Sequence, residues 1–316
     1  MNLDFKNISI LVIGDLMLDH YFYGKSDRMS PEADIPVIKK KYEEFSLGGA
    51  ANVALNLKTL GANVACLGKV GSDFEGSKIL TLLTENNIDI SKIIIDKDYQ
   101  TTLKKRIFLD DKQLTRIDRE EIIQSFDISR FGIDFTKFDA CVISDYNKGV
   151  VNNIDSINNS IIVVDPKKKC FDSYKNATVI TPNINELQKT TDIHLTNDKK
   201  IIQVCRKIIK KNGIKSILVK KGSDGMILVQ NDLIQDISAH KVKDPNVIGA
   251  GDTVLSTFTL SFIKTRDVIL SAKLANYAAS ISVSKKGTSC VEVDELNNFI
   301  YKIWFELKFH IFRTTN

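Results

Sequence analysis

Short apolar runs alternate with segments of helical apolar spacing along most of the chain, a rhythm that few folds other than a helix-covered parallel sheet can satisfy. The first run, Ile8-Ser9-Ile10-Leu11-Val12-Ile13-Gly14, reads as a short buried strand ending on Gly and Asp. Residues 49–60 have helical spacing and stop at Gly61, and a strand over 63–70 and a helix over 74–86 follow. Further strands are expected over 139–144, 161–165, 177–181 and 216–220, with helices over 183–190 and 198–211. The last third reads as a hairpin, 226–230 with 233–238, then helices near 250–264, 267–285 and 294–306. Two stretches, 20–47 and 93–118, break the rhythm and alternate like strands with no helix between them. Tyr21-Phe22-Tyr23-Gly24, and 103–109 followed by 114–117, read as antiparallel strands of a small sheet outside the main layer, a lid or a dimer contact. No linker, low-complexity tract or internal repeat divides the chain, so residues 1–316 are expected to form one unit with that excursion.

Composition excludes several classes. Hydrophobic residues at 43% and charged residues at 26% of 316 suit a packed core rather than a disordered chain. No apolar run approaches the ~20 residues that span a bilayer, and Met1-Asn2-Leu3-Asp4-Phe5-Lys6 lacks the basic and apolar regions of a signal peptide. Five scattered cysteines (Cys66, Cys141, Cys170, Cys205, Cys290), none in a C-x-x-C pair, read as reduced and buried in a cytoplasmic protein. Four isolated histidines form no metal-binding pattern. The net charge of +5, from 44 Lys and Arg against 39 Asp and Glu, is too mild and dispersed for nucleic-acid binding. The runs Lys39-Lys40-Lys41 and Lys167-Lys168-Lys169 read as solvated faces.

The sharpest motif is Val247-Ile248-Gly249-Ala250-Gly251-Asp252-Thr253, followed at once by an apolar helix. Its two glycines let backbone approach a ligand closely, and the N–H groups at the helix start form an anion site favoured by the helix dipole. A carboxylate inside such a site repels phosphate unless it has a task, and taking a proton from an attacking hydroxyl is one: Asp252 is the candidate base. Alone, Gly-Ala-Gly would read as a tight turn with Asp252 as a cap; its companions tip the reading. Gly48-Gly49-Ala50-Ala51-Asn52 is a second glycine pair entering a helix, with an Asn one turn in. Asp15 and Asp19 follow the first strand, where open α/β sheets bind ligands, and can accept from sugar hydroxyls; Asp19 reads equally as a surface charge. Asn183 and Glu186, in Thr181-Pro182-Asn183-Ile184-Asn185-Glu186, share a face of one helical turn and could position Mg²⁺ through its waters. A cap at Asn183 and a first-turn Glu explain them almost as well. No G-x-x-x-x-G-K-[ST], G-x-S-x-G or H-E-x-x-H motif competes, and Gly14 belongs to no G-x-G-x-x-G.

Together these residues resemble the ribokinase-like (PfkB) carbohydrate kinases from about residue 8 to residue 296. Gly48-Gly49…Asn52 and Gly249-Ala250-Gly251-Asp252 look like the two family signatures, and Asn183-x-x-Glu186 like its metal-associated motif. Lys220-Lys221-Gly222-Ser223-Asp224-Gly225 resembles the strand and loop bordering ATP, and the resemblance carries Asn276 into the nucleotide site. It implies a Rossmann-like α/β domain with a β lid over the sugar, ATP and Mg²⁺ as cofactors, and a homodimer joined through the lid.

Within the family, several stretches resemble kinases of D-glycero-D-manno-heptose 7-phosphate, including the kinase half of a bifunctional heptose kinase/adenylyltransferase. They are residues 14–21, Ser30-Pro31-Glu32-Ala33 with 34–37, residues 48–61, and Leu114-Thr115-Arg116-Ile117-Asp118. Ser144-Asp145-Tyr146-Asn147-Lys148-Gly149, Val164-Asp165-Pro166-Lys167 and Lys286-Gly287-Thr288-Ser289 complete the set. The implied reaction is γ-phosphoryl transfer from ATP to the anomeric hydroxyl, giving heptose 1,7-bisphosphate. Lys104, Arg106 and Lys148 are cations placed to grip the substrate's own phosphate, or else ordinary surface charges; Asp145 joins the expected sugar site. The sequence departs from the family at Asn246 and Ile248, where Asp and Thr are usual, which argues against activation by K⁺. The chain shows no H-x-G-H motif, so adenylyl transfer is expected of a separate protein. The competing readings are a PfkB kinase of another sugar or sugar phosphate, and a sugar-phosphate-binding regulator with weakened catalysis.

Overall fold

The computed structural model of the protein describes residues 2–314 apart from 111, 124, 125 and 286–288, with side chains through residue 305. Lys286-Gly287-Thr288 therefore lies outside the described residues. The N-terminal half runs β1 (Ser9–Gly14), β2 (Leu16–Met29), β3 (Pro36–Gly49), α1 (Ala50–Thr59), β4 (Asn63–Gly71), α2 (Phe74–Glu85) and β5 (Asp89–Asp96). It continues through β6 (Thr102–Leu109), β7 (Lys112–Arg119), β8 (Ala140–Ser144), β9 (Ile162–Asp165) and β10 (Val179–Ile180). Then come α3 (Ile184–Gln188), α4 (Asp198–Asn212), β11 (Ser216–Lys220), β12 (Met226–Val229) and β13 (Ile234–Ile237). Helices α5 (Ala250–Thr265), α6 (Val268–Val283) and α7 (Val293–Thr314) close the chain.

The main sheet has nine strands in the order β13-β12-β11-β10-β9-β8-β1-β4-β5. From β11 to β5 every neighbour is parallel, while β12 and β13 add an antiparallel edge, as the hairpin pattern predicts. Strand β1 explains the layering: Ile10 and Val12 pack into one core with Leu57 of α1, Phe258 of α5 and Leu274 of α6. Leu11 and Ile13 point the other way, into a second core with Tyr174 and with Ile201 and Val204 of α4. A strand buried on both faces reads as continuous Val, Ile and Leu, which is what residues 10–13 are. Cys66, Cys141 and Cys205 lie in these layers, but Cys170 is exposed, contrary to expectation.

A separate sheet, β3-β2-β6-β7, holds both irregular stretches. β2 pairs antiparallel with β3 from Leu16–Gly49 outward and parallel with β6, while β6 and β7 are antiparallel. Only part of the second stretch lies in this sheet. Residues 93–96 belong to β5, which pairs parallel with β4 in the main sheet; their alternation came from an edge strand with one exposed face. No helix among the described residues is long and apolar enough to cross a membrane.

Candidate active site

Most helices here start on a side-chain cap. Asp73, Asn183, Asn197 and Asp267 cap α2, α3, α4 and α6. Helices α1 and α5 begin instead at Gly49 and Gly249, with no side-chain cap. Gly49 has φ 57° and Gly249 φ 78°, backbone that glycine adopts without strain. In α5 the N–H of Ala250 goes to Val247 O and that of Thr253 to Gly249 O. The helix start thus keeps donor capacity and positive dipole for a ligand. It opens on a cavity of about 730 Å³ lined by Gly249, Ala250, Gly251 and Asp252. Asn183, Lys220, Gly222, Gly225 and Asn276, all candidates for the nucleotide, line the same cavity. Asn276 Nδ2 donates one hydrogen bond to Ser238 O at 2.9 Å, which braces the wall.

Asp252 is buried and accepts from Asn52 Nδ2 at 2.6 Å, which joins the two glycine motifs across 200 residues of sequence. Burial pushes its carboxyl up to about 6 against that hydrogen bond; the charge of Asp165 adds to the rise, and Lys167 and Lys220 oppose it. The sequence reading missed the cluster beneath. Asp165, at the end of β9, receives Lys220 Nζ at 2.5 Å and Lys167 Nζ at 2.9 Å. Burial alone would raise the Asp165 carboxyl, but the two lysines override it and hold it well below the usual range. Lys167 also reaches Glu186 Oε1 at 2.5 Å. Lys167 does not belong to a solvated face: its side chain lines the cavity, drawn in by two carboxylates. Asp165 and Lys167 were legible only as a strand-end Asp-Pro-Lys. The cavity wall at His240, Val242, Pro245 and Ala279 carried no motif at all.

Asn183 and Glu186 form a reciprocal capping box: Asn183 Oδ1 accepts from Glu186 N at 2.8 Å, and Glu186 Oε2 from Asn183 N at 2.7 Å. With Oε1 on Lys167, each Glu186 oxygen has a partner, and the described residues hold no group of three or more His, Cys, Asp or Glu that could bind a metal. These residues do not fit a metal held directly by protein.

The other expected sugar-site residues divide in two. Gly48, Asp19 and Arg106 come together: Arg106 donates to Asp19 Oδ1 at 2.6 Å with both buried, and a Cβ on Gly48 would lie 3.1 Å from Asp19 Oδ2. Burial raises the Asp19 carboxyl, partly offset by Arg106. Lys104 and Lys148 converge on Glu120, at 2.9 and 2.5 Å. Asp15 and Asp145 do a different job from the one expected. Asp15 accepts from the N–H groups of Tyr146, Lys148 and Val150 at 2.8, 3.1 and 3.2 Å. Burial, then the charge of Asp145, pushes its carboxyl up to about 6 against those bonds. Asp145 accepts from Asn147 N and from the Tyr174 hydroxyl, each at 2.7 Å. The pair shapes the loop that presents Tyr146 to the cavity and Lys148 to Glu120. At the departure point, Asn246 Oδ1 accepts from Ile248 N at 3.2 Å, so its amide folds the loop onto itself.

Comparison with known proteins identifies the family. The chain matches the pfkB family carbohydrate kinases over residues 7–294. It is 38% identical over 303 residues to the bifunctional protein HldE of Helicobacter acinonychis (strain Sheeba), covering 91% of this chain and 65% of the relative. To the bifunctional protein HldE of Coxiella burnetii (strain Dugway 5J108-111) it is 34% identical over 310 residues, covering 95% of this chain and, again, 65% of the relative. The chain thus spans less than two thirds of those relatives. Escherichia coli phosphofructokinase-2 in complex with potassium superposes with a TM-score of 0.76 at 18% identity, over 93% of this chain and 98% of that one. Arabidopsis thaliana ribokinase complexed with ribose and ATP gives 0.74 at 19%, over 92% and 98%. Those two show the fold. Since the family match runs from just before β1 into α7, the chain belongs to the pfkB family of carbohydrate kinases.

Proposed function

We propose that the protein transfers the γ-phosphoryl group of ATP to the anomeric hydroxyl of D-glycero-D-manno-heptose 7-phosphate. The observation that carries the transfer step is Asp252, buried at the uncapped start of α5 and held by Asn52 at 2.6 Å. Asp252 takes the proton as the sugar oxygen bonds to the γ-phosphorus, the bond to the β–γ bridging oxygen breaks, and ADP leaves. The backbone of Gly249, Ala250 and Gly251 faces the charge that develops, with Lys220 and Lys167 within the same cavity. Asp165 and Glu186 hold those lysines, and Asn183 caps the turn that carries Glu186. Magnesium brought with the nucleotide neutralises phosphate charge when bound, and any contact with Asn183 or Glu186 runs through water.

The heptose phosphate rests on the cationic trio Lys104, Arg106 and Lys148 beside Asp19, and on the likeness to the HldE proteins. The protein works as a homodimer joined through the four-stranded sheet. ADP release across a panel of sugars tests the substrate. Heptose 7-phosphate should exceed unphosphorylated heptose by well over tenfold in kcat/KM, since remote binding energy helps position the reacting hydroxyl. Equal rates on both sugars would promote a kinase of another sugar; no ADP release from any would promote a binding regulator.

A further inference from the structure

Glu120 follows β7 where the chain leaves the four-stranded sheet for the main one. Ile123 N donates to Lys148 O at 2.7 Å, which lays this crossing segment along the loop after β8. From there Glu120 serves both bodies: Oε1 receives Lys104 of β6 at 2.9 Å, and Oε2 receives Lys148 at 2.5 Å. One oxygen for each of two ammonium groups is the pattern a phosphate offers with two of its oxygens. The side chains of Lys104 and Lys148 are 17% and 18% exposed, and that of Glu120 31%. The anion is therefore the more exposed partner, with the two ammonium groups behind it. A phosphate dianion brings more charge to two ammonium groups than a single carboxylate does and can displace it, whereas a neutral sugar has nothing to exchange.

We propose that Glu120 is a stand-in anion. It holds Lys104 and Lys148 in place for the phosphate of an incoming sugar phosphate, yields that place to it, and so sets how strongly the protein discriminates for a phosphorylated substrate. This rests on the sugar-phosphate reading above. Inorganic phosphate, titrated calorimetrically with the nucleotide site filled by ADP, tests it. In Glu120→Gln the apparent Kd for phosphate should fall about tenfold, and adding Lys104→Met should cancel that gain. Glu120→Asp, charged but too short to bridge both lysines, should fall between the two. Phosphate binding equal to or weaker than wild type in both Glu120→Gln and Glu120→Asp overturns the proposal and leaves Glu120 a strap between the sheets. The two readings fail separately. A wild type indifferent to sugar phosphorylation, with tighter phosphate binding in Glu120→Gln, sinks the substrate and keeps the anion exchange. A wild type that prefers the phosphorylated sugar, with no such gain, sinks only the exchange.

Discussion

Asp252 is asked to be both buried and charged, and its two duties oppose each other. Asp252→Asn keeps size and can still accept from Asn52, but it cannot take the hydroxyl proton. Turnover should fall by about 10²–10⁴-fold with ATP affinity nearly kept, measured by steady-state kinetics and nucleotide titration. With the wild-type carboxyl pushed up to about 6, activity should drop as pH falls through that value. Stability runs the other way. Between the ordinary 3.8 and about 6 the folded protein holds a proton that the unfolded chain has lost, so stability declines as pH rises through this window. Asp252→Asn removes the burial cost of that charge. In urea titrations it should be more stable than wild type by up to about 3 kcal/mol at pH 8, a gain that vanishes near pH 4. Asn52 is the counterpart: its hydrogen bond lowers the Asp252 value, so Asn52→Ala should move the acid limb of the pH–rate profile upward. An unmoved limb would make Asn52 merely structural.

Two helix starts do the site's work through what they lack. At Gly49 a Cβ would lie 2.5 Å from Asp15 O, on backbone at φ 57°. Gly49→Ala should therefore cost at least about 2 kcal/mol in denaturant titration. The loop before α5 has its own test. Asn246 Oδ1 bonds Ile248 N, so its side chain serves the turn, and replacing a bulky inert cation by K⁺ should stimulate little. A steep rise would assign a cation site to the loop's carbonyls. Elements were readable where local chemistry decides them: the Val, Ile and Leu run of β1, Gly61 after α1, and the glycine pairs before α1 and α5. Partnerships were not. Nothing local says that Asn52 meets Asp252, or that Asp15 would be consumed by the N–H groups of residues 146–150. Lys167 looked solvated because a run of three lysines carries no mark of the Asp165 and Glu186 waiting to pair with it.

At the scale of the molecule, the four-stranded sheet leaves Met29, Tyr42, Leu114 and Ile117 about half exposed. They lie on β2 and on the two edge strands, β3 and β7, and Ile117 on β7 tests the proposed dimer contact. Ile117→Glu should convert the homodimer to monomers in sedimentation velocity, and a wild type already monomeric would remove that assembly from the proposal. The way this sheet is attached has a mechanical consequence. β1 ends at Gly14 and β2 begins at Leu16, so a single residue, Asp15, lies between them; the returning strand ends at Gly49, opposite Leu16. Ala50 N, the first amide of α1, bonds Asp15 O at 3.0 Å. The ribbon is thus a lever whose fulcrum is Asp15 and Gly49. The short arm is the first turn of α1, which carries Asn52, and Asp15 also grips the loop bearing Tyr146 and Lys148. Any tilt of the far end would act first on the turn of α1 that carries Asn52, the hydrogen-bond partner of Asp252.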